Sequence, residues 1–322
     1  MSLWYAKLSF LDRVHFGSLG VGLESVEETL HSDSLYSAIC HAWAARFGAD
    51  DLMDLIERFR SVPPFLLSSA FPYLRETFFL PKPMTRPPGF ADETTRQEYG
   101  KALKETTYLP REFFLAWIKG VAFPPAQIAE VTPLVAQIFQ RELIPRVALG
   151  RENAMSEIFH VGVVRFAREG GLYVLIRLHD ETALSKLCAA FELLGEMGVG
   201  GERTYGLGRF AVEFTPADAA WLALEDERGP RYLTLSLLCP RAEDLLHLDE
   251  QCAYGLIERK GWIHSPYTYR QLKRKSVVMF SEGSVFSHTL AGQVLDVTPA
   301  VWERATSHPI YRFALPFYVG VQ

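Results

Sequence analysis

The chain has 322 residues, 48% of them hydrophobic, which is enough for a sizeable core and suggests two domains rather than one. Its net charge of −5 excludes a surface coated in basic charge but leaves room for a local basic groove. Four cysteines (Cys40, Cys188, Cys239, Cys252) stand far apart with no CxxC pair, which argues against zinc and disulfide frameworks and for a reducing, cytoplasmic compartment.

In chain order, Trp4, Ala6, Leu8 and Phe10 alternate with Tyr5, Lys7 and Ser9, the pattern of a half-buried strand. Lys7 also interrupts the first apolar residues, so no signal peptide is expected, and no apolar run is long enough to span a membrane. A polar, glycine-bearing loop covers residues 12–28 and includes His15. Ser32 or Asp33 is expected to cap a helix whose apolar face is Leu35, Ala38, Ile39, Ala42, Trp43 and Phe47, with Gly48 ending it. A second short helix is expected over 52–59, then short strands over 65–71 and 78–80. Residues 85–112 are the most polar stretch, with Arg96, Lys101, Lys104 and Tyr108; they read as a functional protrusion or a disordered loop. Helical patterns resume over 113–119 and 126–142, and a hairpin is expected from 158–166 and 172–178.

A helix over 182–197, apolar at Leu184, Leu187, Cys188, Phe191 and Leu194, then runs into a glycine-rich stretch. Gly198, Gly200, Gly201, Gly206 and Gly208 fall within eleven residues, with Arg203, Thr204, Tyr205 and Arg209 among them. Glycine permits close backbone approach, and arginine brings a planar fork of donors for phosphate oxygens. The stretch is therefore either a plain connector or a cradle for a phosphodiester. A strand over 209–214 follows. The order helix, glycine loop, strand is the reverse of the strand, glycine turn, helix of a dinucleotide fold, and no GxxxxGK[ST] loop is present.

With residues 48–153 set aside as an insertion, the N-terminal elements run β-α-β-β-α-β over residues 1–216. That is the ferredoxin-like order shared by RNA-recognition modules. Residues 215–231 look like a linker. The region 217–322 then shows strands over 232–238, 256–263, 276–280, 294–297 and 311–319 and a short helix over 241–247. This suggests a degenerate second ferredoxin-like domain and an α+β class for the whole. Between its strands Arg270, Lys273, Arg274 and Lys275 lie beside Tyr267 and Tyr269. Basic residues interleaved with aromatics suit single-stranded nucleic acid, and also suit a solvated loop.

Several stretches together resemble one family: His31–Ile39 (HSDSLYSAI), Ser68–Tyr73 (SSAFPY), Phe79–Pro83 (FLPKP), Gly200–Phe210 (GGERTYGLGRF), Ser281–Phe286 (SEGSVF) and His308–Arg312 (HPIYR). They resemble the RAMP superfamily of CRISPR proteins and, more narrowly, the fourth subunit of the type III-A (Csm) effector complex. The resemblance implies two ferredoxin-like domains, no catalytic site and no cofactor or metal. It implies a subunit that holds the repeat-derived 5′ tag of the CRISPR RNA and contacts both the large polymerase/cyclase-like subunit and the backbone RAMP subunit. A protruding thumb would lie beside the guide–target duplex. Carried onto this sequence, Gly200, Gly201, Arg203, Thr204, Tyr205 and Gly206 would contact tag phosphates, with His31 and Ser32 nearby. The thumb would be the segment around Lys101, Lys104 and Tyr108.

A rival reading is a metal-independent RAMP endoribonuclease that cuts CRISPR repeat RNA, for which His15 and His31 are the candidate acid and base. His31 also suits phosphate binding or capping at a helix start. A cyclase or polymerase palm is rejected. Gly200-Gly201 is followed by Glu202 and then Arg203, and a cation at the second acidic position would repel Mg²⁺.

Overall fold

The computed structural model describes residues 2–17, 22–90, 93–149, 156–226, 228–265, 272–302 and 308–322. Strand β1 (Ser2–Phe10) leads through short strands β2 (Phe16–Gly17) and β3 (Val26–Glu27) to helices α1 (Ser32–Phe47) and α2 (Ala49–Ser61). Then come β4 (Phe65–Leu67), β5 (Phe71–Leu74), β6 (Thr77–Pro81), α3 (Glu93–Glu105), β7 (Tyr108–Pro110), α4 (Arg111–Ile118) and α5 (Ile128–Val135). Two long strands, β8 (Phe139–Leu149) and β9 (Ser156–Phe166), precede β10 (Gly170–Leu178), α6 (Ala183–Met197) and β11 (Phe210–Pro216). The C-terminal third holds β12 (Arg231–Thr234), β13 (Leu256–Arg259), β14 (Val277–Phe280), β15 (Val285–Phe286), β16 (Gln293–Asp296), β17 (Tyr311–Ala314) and β18 (Tyr318–Val321).

The main sheet runs β11-β1-β10-β5-β6-β7, with β4 also pairing β10. Strand β1 is antiparallel to both neighbours: Ala6 faces Val174 on one side and Phe214 on the other. One face of the sheet, with Ala6, Leu8, Val174 and Ile176, packs on Leu35 and Ile39 of α1 and on Leu187 and Phe191 of α6. The other face, with Leu3, Tyr173 and Leu175, packs on Trp221, Leu233, Leu235, Phe317 and Val319. The C-terminal third thus shares a core with the N-terminal sheet. Strand β10 is buried along its whole length, which accounts for its nearly unbroken apolar run, since a strand covered on both faces need not alternate.

Four expectations change. Residues 158–166 and 172–178 do not pair; β9 pairs with β8 along a long ribbon, while β4 and β5, from within the stretch set aside as an insertion, take the place beside β10. Residues 85–112 are not a bare polar protrusion: they carry α3 and β7, and Phe90 and Leu109 are buried in the second core. The helical pattern over 126–142 ends at Val135, just past the internal Pro133, and Phe139 opens β8. The last strand is split in two between Ala314 and Tyr318, where Pro316 has no N–H to give a ladder.

One buried contact fastens the C-terminal third to α1. Asp33 is 1% exposed and accepts two hydrogen bonds from Arg259, each 3.1 Å, and a third from Arg312. Arg259 also donates to Ser34 Oγ at 2.9 Å, and Arg312 to the Lys260 carbonyl at 3.2 Å. Burial alone would raise the Asp33 pKa; the Arg259 and Arg312 guanidiniums instead hold it far below the carboxylate range. Neither Ser32 nor Asp33 caps the helix. His31 occupies the N-cap without a side-chain cap bond, and Ser32 Oγ accepts from the Leu237 N–H at 3.0 Å.

Removing one member of a buried charge cluster strands the others. Asp33→Ala should therefore lower stability by about 3–5 kcal/mol in urea unfolding. A loss under about 1 kcal/mol would mean that Arg259 and Arg312 are not held by this carboxylate.

Candidate nucleic-acid interface

The glycine stretch is a folded turn. Helix α6 stops at Gly198, and the chain doubles back so that the Val199 N–H donates to the Gly208 carbonyl at 3.0 Å. The Gly208 N–H donates to the Arg13 carbonyl and the Gly201 N–H to the His15 carbonyl, at 2.9 and 2.8 Å. A Cβ on Gly208, whose φ is +80°, would lie 2.0 Å from the Val199 carbonyl oxygen. Most of these glycines serve the chain's own close packing, which corrects both the plain connector and the expectation that they chiefly admit a phosphodiester. Gly206 differs: nothing lies within 4 Å of its Cβ position. Arg203–Tyr205 make one 3-10 turn, and Tyr205 stands out with its ring 4.3 Å from the Arg146 guanidinium of β8.

A cleft of about 330 Å³ opens between this turn, α1 and the C-terminal third. The turn contributes Gly200, Gly201 and Arg203. Helix α1 contributes Ser34, Ser37 and His41, spaced three and four residues apart and so on one face. The C-terminal third contributes Arg259, Trp262, His264 and Arg274. Asp33 puts the third group there, because Arg259 is both its partner and part of the lining.

The cleft carries an excess of positive charge: Glu27 is the one acid among its described lining residues, and it faces His31. Neither Arg203 nor Arg274 has an ion-pair partner among the described residues, and Arg274 Nε is buried with no hydrogen-bond partner. Burial lowers the pKa of Arg203; burial, and then Arg312, lower that of Arg274 to about 10. The His41 and His264 rings lie 5.3 Å apart. Burial first, then His264 and Arg203, push His41 down to about 4, and burial and Arg203 lower His264. Such a site is strained when empty of anion and relaxed by one.

Six expected residues line the cleft: His15, His31, Gly200, Gly201, Arg203 and Arg274. Two of these six are already engaged. His15 is 5% exposed and donates Nδ1–H to the Gly162 carbonyl at 2.7 Å. His31 bridges two carboxylates, Nδ1 to Glu282 at 2.8 Å and Nε2 to Glu27 at 3.5 Å. Burial alone would lower its pKa, but Glu282 raises it, so its two carboxylate neighbours favour the charged form and already occupy both ring nitrogens. Ser32 is 1% exposed and closed off, which removes it from any RNA surface. Thr204, Tyr205, Gly206 and Arg209 are exposed outside the lining. Lys101 and Lys104 sit on α3, with Lys101 3.9 Å from Glu105, and neither reaches the cleft. Lys273 and Lys275 are exposed; Lys273 Nζ lies 5.1 Å from the Trp262 ring centre. Tyr267, Tyr269 and Arg270 lie outside the described residues. The sequence reasoning missed His41, Trp262 and His264. The Ser34-Ser37-His41 stripe was a visible signal, a polar row along an otherwise apolar helix; Gly261-Trp-Ile-His264 had none.

Residues 227–321 match the family model described as the CRISPR Csm4 C-terminal domain. The chain is 30% identical over 300 residues to the Csm4 protein of Thermococcus onnurineus, covering 90% of this chain and 91% of that one. It is 28% identical over 311 residues to the Csm4 protein of Mycobacterium tuberculosis, covering 96% and 95%. Among solved structures it resembles a chain of a Csm1–Csm4 cassette in complex with pppApA, at 22% identity, TM-score 0.66 and coverage of 100% and 98%. It equally resembles a chain of a Csm3–Csm4 subcomplex of the type III-A interference complex, at 19% identity, TM-score 0.66 and 99% coverage of each. Among the described residues no helix is long and apolar enough to cross a membrane.

Two outcomes are expected. Gly208→Ala should lower the melting temperature by several degrees because the Val199 carbonyl blocks the methyl, whereas Gly206→Ala should show only the strain of its positive φ, about 1 kcal/mol. Equal losses would contradict the folded turn. His31 has a raised folded pKa, so its stabilisation is fully present below the ordinary value of about 6.5 and fades as pH rises through the raised one. Comparing His31→Gln with wild type by thermal unfolding should give the larger difference at acidic pH; a pH-independent difference would refute the charged bridge.

Proposed function

Because this chain belongs to the Csm4 family of type III CRISPR proteins, we propose that it is a non-catalytic RNA-binding subunit of a Csm ribonucleoprotein that holds the 5′ tag of the CRISPR RNA. The observation that carries this reading is the cleft between the glycine turn and the C-terminal third, where Arg203 and Arg274 stand without an ion-pair partner among the described residues. An extended RNA strand supplies both things the cleft lacks: phosphate oxygens for planar guanidinium forks, and bases to stack on half-exposed Trp262.

The partners of this reading are the large subunit and the backbone RAMP subunit, since solved relatives pair a similar chain with Csm1 and with Csm3. The N-terminal unit is read as ferredoxin-like, with β4 and β5 as its second strand, and the C-terminal third as a degenerate second copy. The thumb role moves from 85–112 to the β8–β9 ribbon, which exposes Leu143, Val147, Leu149 and Ile158 along its strands. An exposed apolar ribbon suits insertion beside stacked bases of a guide–target duplex better than the packed α3 segment does. The absence of catalysis rests on His15 and His31: one is buried on a backbone carbonyl and the other tied between two carboxylates, so neither is poised as a general acid or base.

The test is tag-RNA binding and thermal unfolding of the purified chain. Arg203→Ala should weaken binding by about 1.5–3 kcal/mol, the range for a charge-assisted hydrogen bond, and leave the melting temperature nearly unchanged. Arg209→Ala, on an exposed residue outside the lining, should change little. RNA recovered intact after incubation in EDTA supports the non-catalytic reading. Size-specific scission would replace it with the ribonuclease reading, and a lower melting temperature with unchanged affinity would make Arg203 structural.

A further inference from the structure

We propose that His41, His264, Arg203 and Arg274 form one phosphate subsite for single-stranded RNA, and that filling it takes up protons. The inference rests on the RNA-binding reading and adds its regulation by pH.

The geometry places four nitrogen-bearing side chains from three separate parts of the chain in one cleft: His41 from α1, Arg203 from the glycine turn, and His264 and Arg274 from the C-terminal third. The imidazole rings lie 5.3 Å apart, close enough to share one ligand. Arg274 Nε is a buried donor without an acceptor, the kind of vacancy a ligand oxygen fills. The charged groups that act on His41, after burial, are bases: His264 and Arg203, then His308 and Arg274. Among neighbouring acids, Glu27 and Glu282 face His31, and Asp33 is taken by Arg259 and Arg312. Among the described residues no carboxylate is paired with His41 or His264. His308 is itself engaged, Nε2 with Ser265 Oγ at 2.8 Å and Nδ1 with the Pro309 carbonyl at 2.9 Å.

The sign follows from the charges. Without ligand, two guanidiniums in a partly dry cleft oppose a third and fourth positive charge, so His41 stays neutral down to about 4. A phosphodiester carries a negative charge that does not titrate across this range, and it reverses the local field. The imidazoles then take protons from solvent and turn from possible acceptors into donors facing the phosphate oxygens. Affinity should rise as pH falls through the bound-state pKa values and level off near the free value of about 4. His31 stands apart from this pair, because Glu282 and Glu27 beside it favour its charged form. The cleft's volume of about 330 Å³ sits at the small end for ligand pockets, which suits one phosphate and its base and excludes a duplex.

The test is isothermal titration of the full chain with an oligouridine of about ten nucleotides, within the span of extended-strand sites. Uracil has no group that titrates in mildly acidic solution, so protons taken up belong to the protein. Repeating the titration in buffers of different ionisation enthalpy counts them. The expected result is uptake of about one proton or more per RNA near pH 6, and an affinity that grows by up to about tenfold per pH unit for each linked proton. His264→Gln, at a half-exposed position outside the core, should reduce the uptake without loss of melting temperature, and His41→Gln with His264→Gln should abolish it. Tight binding with no proton uptake overturns the inference and leaves the RNA-binding reading standing. Uptake that persists unchanged in the double variant also overturns it. No binding at any pH removes both.

Discussion

The structure depends on a carboxylate buried at the start of its first helix. Asp33 is held by two arginines from the C-terminal third, and those arginines give that third its position against α1. Buried ion pairs add little net stability, because desolvation offsets most of the attraction. Their value here is positional: a carboxylate that accepts three guanidinium bonds permits few other arrangements. A second contact repeats the logic nearby, with His31 charged between Glu27 and Glu282 and Ser69 bonded to the same Glu282 carboxylate. Both contacts join the N-terminal sheet and helices to parts of the C-terminal third more than two hundred residues away in sequence.

What these contacts position is a cleft with the opposite character. Inside the joint, charges are matched and dry; a few residues away, Arg203 and Arg274 are partly buried with no partner among the described residues. Burial first, and then that same excess, lower the pKa of two neighbouring histidines. Unmatched buried charge costs stability in the free chain, and a phosphate restores it on binding. The glycine turn fits the same division of labour. Its glycines let the loop fold tightly against Val199 and His15, so that Arg203 is presented from a rigid turn rather than a floppy one. Rigid presentation reduces the entropy lost on binding any ligand.

Much of this was legible in the sequence, and the exceptions have physical reasons. The strand alternation at Trp4–Phe10, the apolar face of α1 and the helix before the glycine stretch are local patterns, and all three appear as elements. The pairing of β10 with β4 and β5 instead of β9 was not legible. A strand buried on both faces carries no period to show its neighbour, and a turn-like Arg168–Gly171 invites a hairpin that tertiary packing overrides. Polar residues 85–112 concealed Phe90 and Leu109, two apolar anchors enough to tie the segment down. At the site, Arg203 and Arg274 were found from their chemistry alone. His31 lines the cleft and Ser32 is buried beside it, but nothing in the sequence shows that Glu282 and Leu237 are their partners. His41 and His264 were missed because only the fold brings them within 5.3 Å.

The central claim is that the glycine turn and the C-terminal third form one RNA site and not two. A double-mutant cycle on Arg203 and Arg274, read as RNA affinity of wild type, both single variants and the double, measures this directly. If both arginines face the same phosphate, their effects are coupled, and the cycle should return an interaction energy of about 0.5–3 kcal/mol. Strictly additive losses, within about 0.3 kcal/mol, would mean that the two arginines act on separate ligands and would contradict a shared cleft.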